Sequence, residues 1–176
     1  FLWIYRDLLI LGTRGPKNDI YAWSSIFSYF HDALKEGTWP LWTPYLNGGQ
    51  PFYYMPPQLR LYEPLTVLLS LAGGALDASA AAIYRLDLAW KILFGCAGVA
   101  ALAGSFASHR LTAPLAYGIA LLSAVPFHSF QCYGMLDAYT VPWCLFFFHR
   151  LARDGVRFRD TFFFAFGAVV FHEVGP

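Results

Sequence analysis

From Leu88 onward the chain alternates long apolar runs with short clusters of arginine, glycine and proline. A helix that crosses a bilayer needs about 17–25 mostly apolar residues, because the hydrocarbon layer is roughly 30 Å thick. Four runs approach that length. They are Leu88–Ala107, collared at its start by Arg85, Asp87 and Lys91, then Leu111–Phe127, Ala138–Leu151 and Thr161–Val174. The last two are short and are expected to share their ends with interfacial residues. A fifth run, Leu65–Leu76, holds about twelve apolar residues and carries Gly73-Gly74, which weakens a helix. It is predicted to lie along the membrane surface or dip into it without crossing.

Arginine and lysine in short loops mark the cytoplasmic side. Ser108–Leu111 carries His109 and Arg110, and His149–Asp160 carries Arg150, Arg153, Arg157 and Arg159, whereas Phe127–Tyr139 has neither Arg nor Lys. The two arginine loops are therefore expected inside and the 127–139 loop outside. Leu88–Ala107 then runs inward, and everything before Arg85 forms a long external loop. A crossing by Leu65–Leu76 would reverse that last step.

Within residues 1–82, Asp19–Glu36 repeats apolar side chains at Ile20, Trp23, Phe27, Phe30 and Leu34, three or four apart, which predicts a helix. Ser24, Ser28, His31, Asp32 and Lys35 fall off that stripe, and Gly37 supplies a stop. Two placements remain open for such a helix, in the headgroup plane or packed on protein. The stretch after it, "GTWPLWTPYLNGGQPFYYMPPQ", holds Trp39, Trp42, three tyrosines, Phe52 and five prolines, with no charged residue. Prolines at intervals and Asn47-Gly48-Gly49 forbid a long helix or strand. Aromatic rings favour the membrane–water boundary, so an ordered, turn-rich loop pressed against lipid is expected.

Composition supports lipid as the solvent: 57% of the 176 residues are hydrophobic and only 13% are charged, against roughly a quarter in soluble domains. A net charge of +1 gives no electrostatic footprint for nucleic acid. Cys96, Cys132 and Cys144 are too few and scattered for a disulfide framework or a thiolate metal site, and each is expected to pack as a small apolar residue. With Phe1 opening the chain and Pro176 closing an apolar run, the expectation is a piece of a longer polytopic protein. Its parts are a remnant of a preceding span at 1–5, an external loop with juxtamembrane helices over 1–82, and an all-α transmembrane bundle of about four helices over 83–176.

"GTWPLWTPYLNGGQPFYYMPPQLRLYEPL" resembles the first-loop signature of bacterial YfhO-type membrane proteins, through Gly37, Pro40, Leu41, Trp42, Pro44, Tyr45, Gly48, Gly49, Pro51 and Phe52. Glu63-Pro64 departs from it, standing where Tyr-Pro is usual, with Tyr62 one place earlier. Farther on, "YGMLDAYTVPWCLFFFHRLAR" is similar to a helix entry shared with the wider GT-C glycosyltransferases, there mostly as hydrophobic pattern around one acid. The resemblance implies a multi-pass protein of the bacterial cytoplasmic membrane. Its activity would be sugar transfer from a polyprenyl-phosphate carrier to a glycan, lipid or protein acceptor at the outer face.

On that resemblance Asp19, just before the loop helix, takes the place of the general base. Asp137, at the outer start of Ala138–Leu151, takes that of a second acid. In some members such acids hold a divalent cation (Mg or Mn), which makes Asp19 and Asp137 its candidate ligands here. The chemistry is coherent: an attacking hydroxyl needs its proton accepted, and a leaving phosphate needs positive charge. Arg85, Arg60 and His128 are external candidates for that charge, and Trp42, Tyr45, Gln50 and Glu63 for contacts to substrate. Plainer roles stand beside these. Asp19 and Asp137 suit helix N-caps, Arg85 with Asp87 suits an interfacial collar, and Glu63 suits an exposed carboxylate at headgroup level. His172-Glu173 is a polar pair in an apolar segment, but lacks the second histidine of a zinc motif. A transporter or flippase for a lipid or lipid-linked glycan, or a non-catalytic scaffold of the same fold, are the alternatives.

Overall fold

The computed structural model describes residues 6, 19–44, 48–52, 61–107, 109–123, 139–155 and 157–172, and of residues 19–23 and 166–172 the backbone alone. Among them the chain is all-α apart from one short hairpin. The elements are α1 (Asp19–Lys35), β1 (Trp42–Thr43), β2 (Gln50–Pro51), α2 (Pro64–Ala75), α3 (Ala80–Phe106), α4 (Thr112–Leu122), α5 (Val141–Asp154) and α6 (Phe158–His172). They fall into two compact units, Phe1–Ala89 and Trp90–Pro176.

In the first unit α1 packs on α2. The expected stripe is buried at Phe27, Phe30 and Leu34, and the buried face widens to take in Ile26, Ala33 and His31. Of its two expected placements, α1 therefore takes the one packed on protein. His31 was expected off the stripe, yet it is fully buried. The ring edge bearing Nε2 faces the Ala78 carbonyl at 3.2 Å. This imidazole ties α1 to the α2–α3 turn.

Both helices of this pair end in the same way. The amides of Gly37 and Thr38 bond back to the carbonyls of Leu34 and Ala33 at 3.0 and 2.9 Å, with Gly37 at φ 72°. That is the glycine stop read from the sequence. At the end of α2 the amides of Asp77 and Ala78 bond back to Gly74 and Gly73 at 3.2 and 2.8 Å. Here Asp77 itself takes the left-handed conformation, at φ 55°, which aspartate tolerates better than most side chains. Asp77 also pairs with Lys35, joining the two helix ends.

At twelve residues, α2 is about 18 Å long, well short of a bilayer core. Its Gly73-Gly74 does not end the helix. A β-carbon on Gly73 would stand 2.5 Å from the Ile83 side chain, and one on Gly74 would stand 3.1 Å from the Lys35 backbone. The glycines are where neighbouring chain comes closest. On the same face Thr66 is buried, and its hydroxyl donates to Asp87 Oδ1 at 2.7 Å. The expected collar is therefore not a uniform one. Asp87 and Lys91 are both buried, and of the three only Arg85 stays partly exposed.

In the second unit α3 and α5 run side by side in the same direction. Trp143 Nε1–H donates to the Phe94 carbonyl at 2.9 Å, and near the other end an Arg153 N–H lies 3.3 Å from the Ser105 carbonyl. Gly95 and Gly98 permit this approach. Added β-carbons would meet the Tyr139 backbone at 3.1 Å and the Trp143 ring at 2.8 Å. The start of α4 stays near the end of α3, with Ala113 3.5 Å from a β-carbon on Gly104, and α6 packs on α5 through Phe147–Phe163 at 5.2 Å and Phe148–Phe164 at 5.9 Å. Ala107, His109–Leu111, Gly155 and Arg157 thus share one end of the unit, and Tyr139 and Thr140 lie towards the other. All five arginines of the two loops gather at the first end.

Each predicted span has a helix, with shifted bounds. The first begins at Ala80 and is 27 residues long, and α4, α5 and α6 are 11, 14 and 15 residues. Among the described residues α3 is the one helix long and apolar enough to cross a membrane. The remnant at 1–5 and most of the 127–139 loop lie outside the described residues.

Candidate functional site

The segment after α1 owes its order to aromatic packing on that helix. Phe52 is fully buried, with its ring 5.1 Å from Tyr29 and 6.4 Å from Phe30. Trp39 stacks on Tyr62 at 5.4 Å and 17°, and partial burial there pushes the Tyr62 phenol above its usual range. Between these anchors Trp42 pairs with Pro51 and Thr43 with Gln50, and the Phe52 amide donates to the Leu41 carbonyl at 2.8 Å. The glycines close this hairpin at φ 76° and 109°. A β-carbon on Gly49 would sit 3.0 Å from the Trp42 indole, so the ring rests on bare backbone while Trp42 remains 54% exposed.

Beside this hairpin runs a cleft of about 630 Å³ along α1. Ser25, Ser28, Tyr29, Asp32 and Glu36 line one side, spaced three or four apart so that they form a single ridge. Thr38 and Thr43 line it from the segment beyond the helix. The Tyr29 hydroxyl donates to the Trp42 carbonyl and fixes the hairpin against the ridge. Ser28 and Thr38 donate to the carbonyls of Ser24 and Ala33 at 2.9 and 3.0 Å. Three hydroxyl protons are thus committed to the backbone, which leaves these oxygens to act as acceptors. With two carboxylates added, the cleft is rich in acceptors. It suits a ligand that brings several O–H donors, and it opposes a phosphate.

The expected site residues are only partly gathered here. Trp42 and Gln50 share the hairpin next to the cleft. Glu63 lies at the start of α2 without a side-chain capping bond, and half-buried Arg85 sits on α3. Asp19 opens α1, about 9 Å along the axis before Ser25, and its side chain lies outside the described residues, as does that of His172. Asp137, Tyr45, Arg60, His128 and Glu173 lie wholly outside them. No three His, Cys, Asp or Glu side chains come together as a metal site among the described residues, a set that leaves out the side chains of the expected ligands Asp19 and Asp137.

Asp32 and Glu36 are the acids that sequence reasoning passed over, because a charge on the polar face of a helix ordinarily faces only solvent. The signal was their register with Ser25 and Tyr29, which sets all four on the ridge beside the Trp-Pro segment. Comparison of the chain with protein-family models, curated proteins and solved structures found no match.

Proposed function

We propose that this chain belongs to a multi-pass membrane glycosyltransferase of the bacterial cytoplasmic membrane. The enzyme moves a sugar from a polyprenyl-phosphate carrier to a glycan, lipid or protein acceptor at the outer face. The observation that carries this reading is the acceptor-rich cleft of about 630 Å³ beside the hairpin that carries Trp42, whose indole is 54% exposed. Aromatic faces receive the C–H faces of pyranose rings, and carboxylates take strong hydrogen bonds from their hydroxyls. In this reading the cleft takes the acceptor and not the phosphate of the carrier: Asp32 or Glu36 orients the attacking hydroxyl, and either can accept its proton. Asp19 remains the candidate base at the head of the same helix, and Asp137 the second acid.

The membrane placement rests on separate features. No α4 or α5 residue is buried, and Leu111, Leu115, Ile119 and Leu122 form a line that is 50–70% exposed. With half to two-thirds of its surface still exposed, each such side chain would gain about 1–2 kcal/mol on leaving water, and hydrocarbon offers that without a protein partner. Only 33% of the most apolar stretch of α3 is covered by the rest of the chain. The short α2 then lies at the interface with Leu68, Leu71 and Leu76 outward, all exposed.

The test uses the full-length protein in lipid discs with a polyprenyl-phosphate sugar. Release of the carrier, reduced at least tenfold in Asp32→Asn or Asp19→Asn, supports transfer. Carrier binding or translocation without turnover identifies a transporter instead.

A further inference from the structure

We propose that the arginine end of the Trp90–Pro176 unit binds the phosphate headgroups of anionic phospholipids. This rests on the membrane placement above and not on sugar transfer. The end is assembled from two turns distant in sequence. The Arg153 N–H near the Ser105 carbonyl, at 3.3 Å, joins the last turn of α5 to that of α3. The Phe106 and His149 rings lie 4.2 Å apart beside them. Arg110, Arg150, Arg153, Arg157 and Arg159 therefore meet at one end, with Asp154 and Asp160 as the acids of the two turns. Five positive charges less two negative leave +3 at this end.

The acids do not saturate these donors. Asp160 is fully buried, between Arg150 at 3.3 Å and Arg159 at 3.5 Å, yet neither of its oxygens is in hydrogen-bonding alignment. Arg150 Nε and His149 Nε2 are buried without a partner. Arg153 turns its Nε and one terminal nitrogen to Asp154, at 2.7 and 3.3 Å, and keeps 57% of its side chain exposed. Arg159 is 65% exposed. Each guanidinium carries five N–H donors and a carboxylate about four acceptor sites, so donors exceed acceptors severalfold. A phosphodiester brings the missing acceptors and the negative charge in a geometry that matches the guanidinium fork.

What selects a lipid over a free phosphate is the surface next to these arginines. Phe106, Leu111, Phe158, Phe162 and Phe163 are 44–87% exposed around the same end. Aromatic and aliphatic side chains bordering a basic cluster match a headgroup layer over acyl chains. A soluble phosphate would use the arginines and leave the rings in water.

The experiment is native mass spectrometry of the full-length protein in detergent, titrated with phosphatidylglycerol or phosphatidylcholine. Arg110→Gln/Arg157→Gln is the variant, because it leaves the Asp154 and Asp160 pairs in place. The wild type is expected to retain phosphatidylglycerol in preference, and the variant to lose roughly fivefold of that preference per arginine removed, with phosphatidylcholine binding and Tm unchanged. If the variant does not fold, the wild type alone decides: its preference should collapse between about 0.05 and 0.5 M salt, where screening shortens several-fold. An equal response to the two lipids, or a preference untouched by the substitutions and by salt, overturns the proposal. Displacement of the lipid by millimolar inorganic phosphate overturns the lipid as the source. A chain that takes up neither lipid refutes the membrane placement itself.

Discussion

The Trp42 indole lies against Gly49 so closely that a β-carbon there would stand 3.0 Å from Cζ2 and Nε1. Gly49 is also at φ 109°, a region closed to ordinary side chains. Conformation and space therefore both demand glycine. Gly49→Ala is expected to destabilise by about 1–3 kcal/mol and to swing the indole off its seat. Gly48 is at φ 76° with nothing within 4 Å of an added β-carbon, so Gly48→Ala should cost only the backbone term, about 1 kcal/mol. Tryptophan emission together with Tm separates the two, since only the first substitution shifts the spectrum.

Gly73 makes the corresponding contact in the helix pair. A β-carbon 2.5 Å from two Ile83 atoms and 3.2 Å from His31 Cε1 forces side chains apart in a buried site. Gly73→Val should lower stability by about 1–3 kcal/mol or more. Gly73→Ala/Ile83→Val, which removes the opposing Cδ1, should recover part of that loss in thermal melts.

Thr66 donates to the buried carboxylate of Asp87 at 2.7 Å. Thr66→Val keeps the shape and removes that donor, so a loss of about 1–3 kcal/mol is expected. Thr66→Ser, which restores the hydroxyl, should return most of it. Equal melts for the valine and serine variants would show that the bond carries nothing.

The Lys35–Asp77 pair gives a signed pH dependence. Hydrogen bonding and attraction to Lys35 hold the Asp77 carboxyl below its ordinary 3.8, and the same contact raises Lys35 above its ordinary 10.5. The acid's contribution is complete above about pH 3.8 and disappears as pH falls through the lowered value. The amine's contribution is complete below about pH 10.5 and disappears as pH rises through the raised one. The Tm difference between wild type and Asp77→Asn should therefore be constant across neutral pH and shrink at both extremes. It should also be small, since both groups are exposed.

Much of this architecture was legible in the sequence because periodicity reports burial directly. The stripe at Phe27, Phe30 and Leu34, the stop at Gly37 and the apolar runs after Leu88 each became an element where expected. His31, Asp87 and Lys91 were misjudged for one reason. A polar side chain reads as solvent-facing until a partner on another element, such as Thr66 or the Ala78 carbonyl, is known. The role of Gly73-Gly74 was equally hidden, since propensity marks glycine as a helix breaker and close packing appears only in three dimensions. For the cleft, the ridge spacing of Ser25, Tyr29, Asp32 and Glu36 was visible, but the hairpin that turns a ridge into a cavity was not.

The most direct measurement is turnover of a polyprenyl-phosphate sugar by the full-length protein in lipid discs, with and without Asp32→Asn and Trp42→Ala. The account predicts measurable carrier release in the wild type, falling at least tenfold in each variant while Tm changes little. Wild-type turnover that both variants retain in full would contradict it.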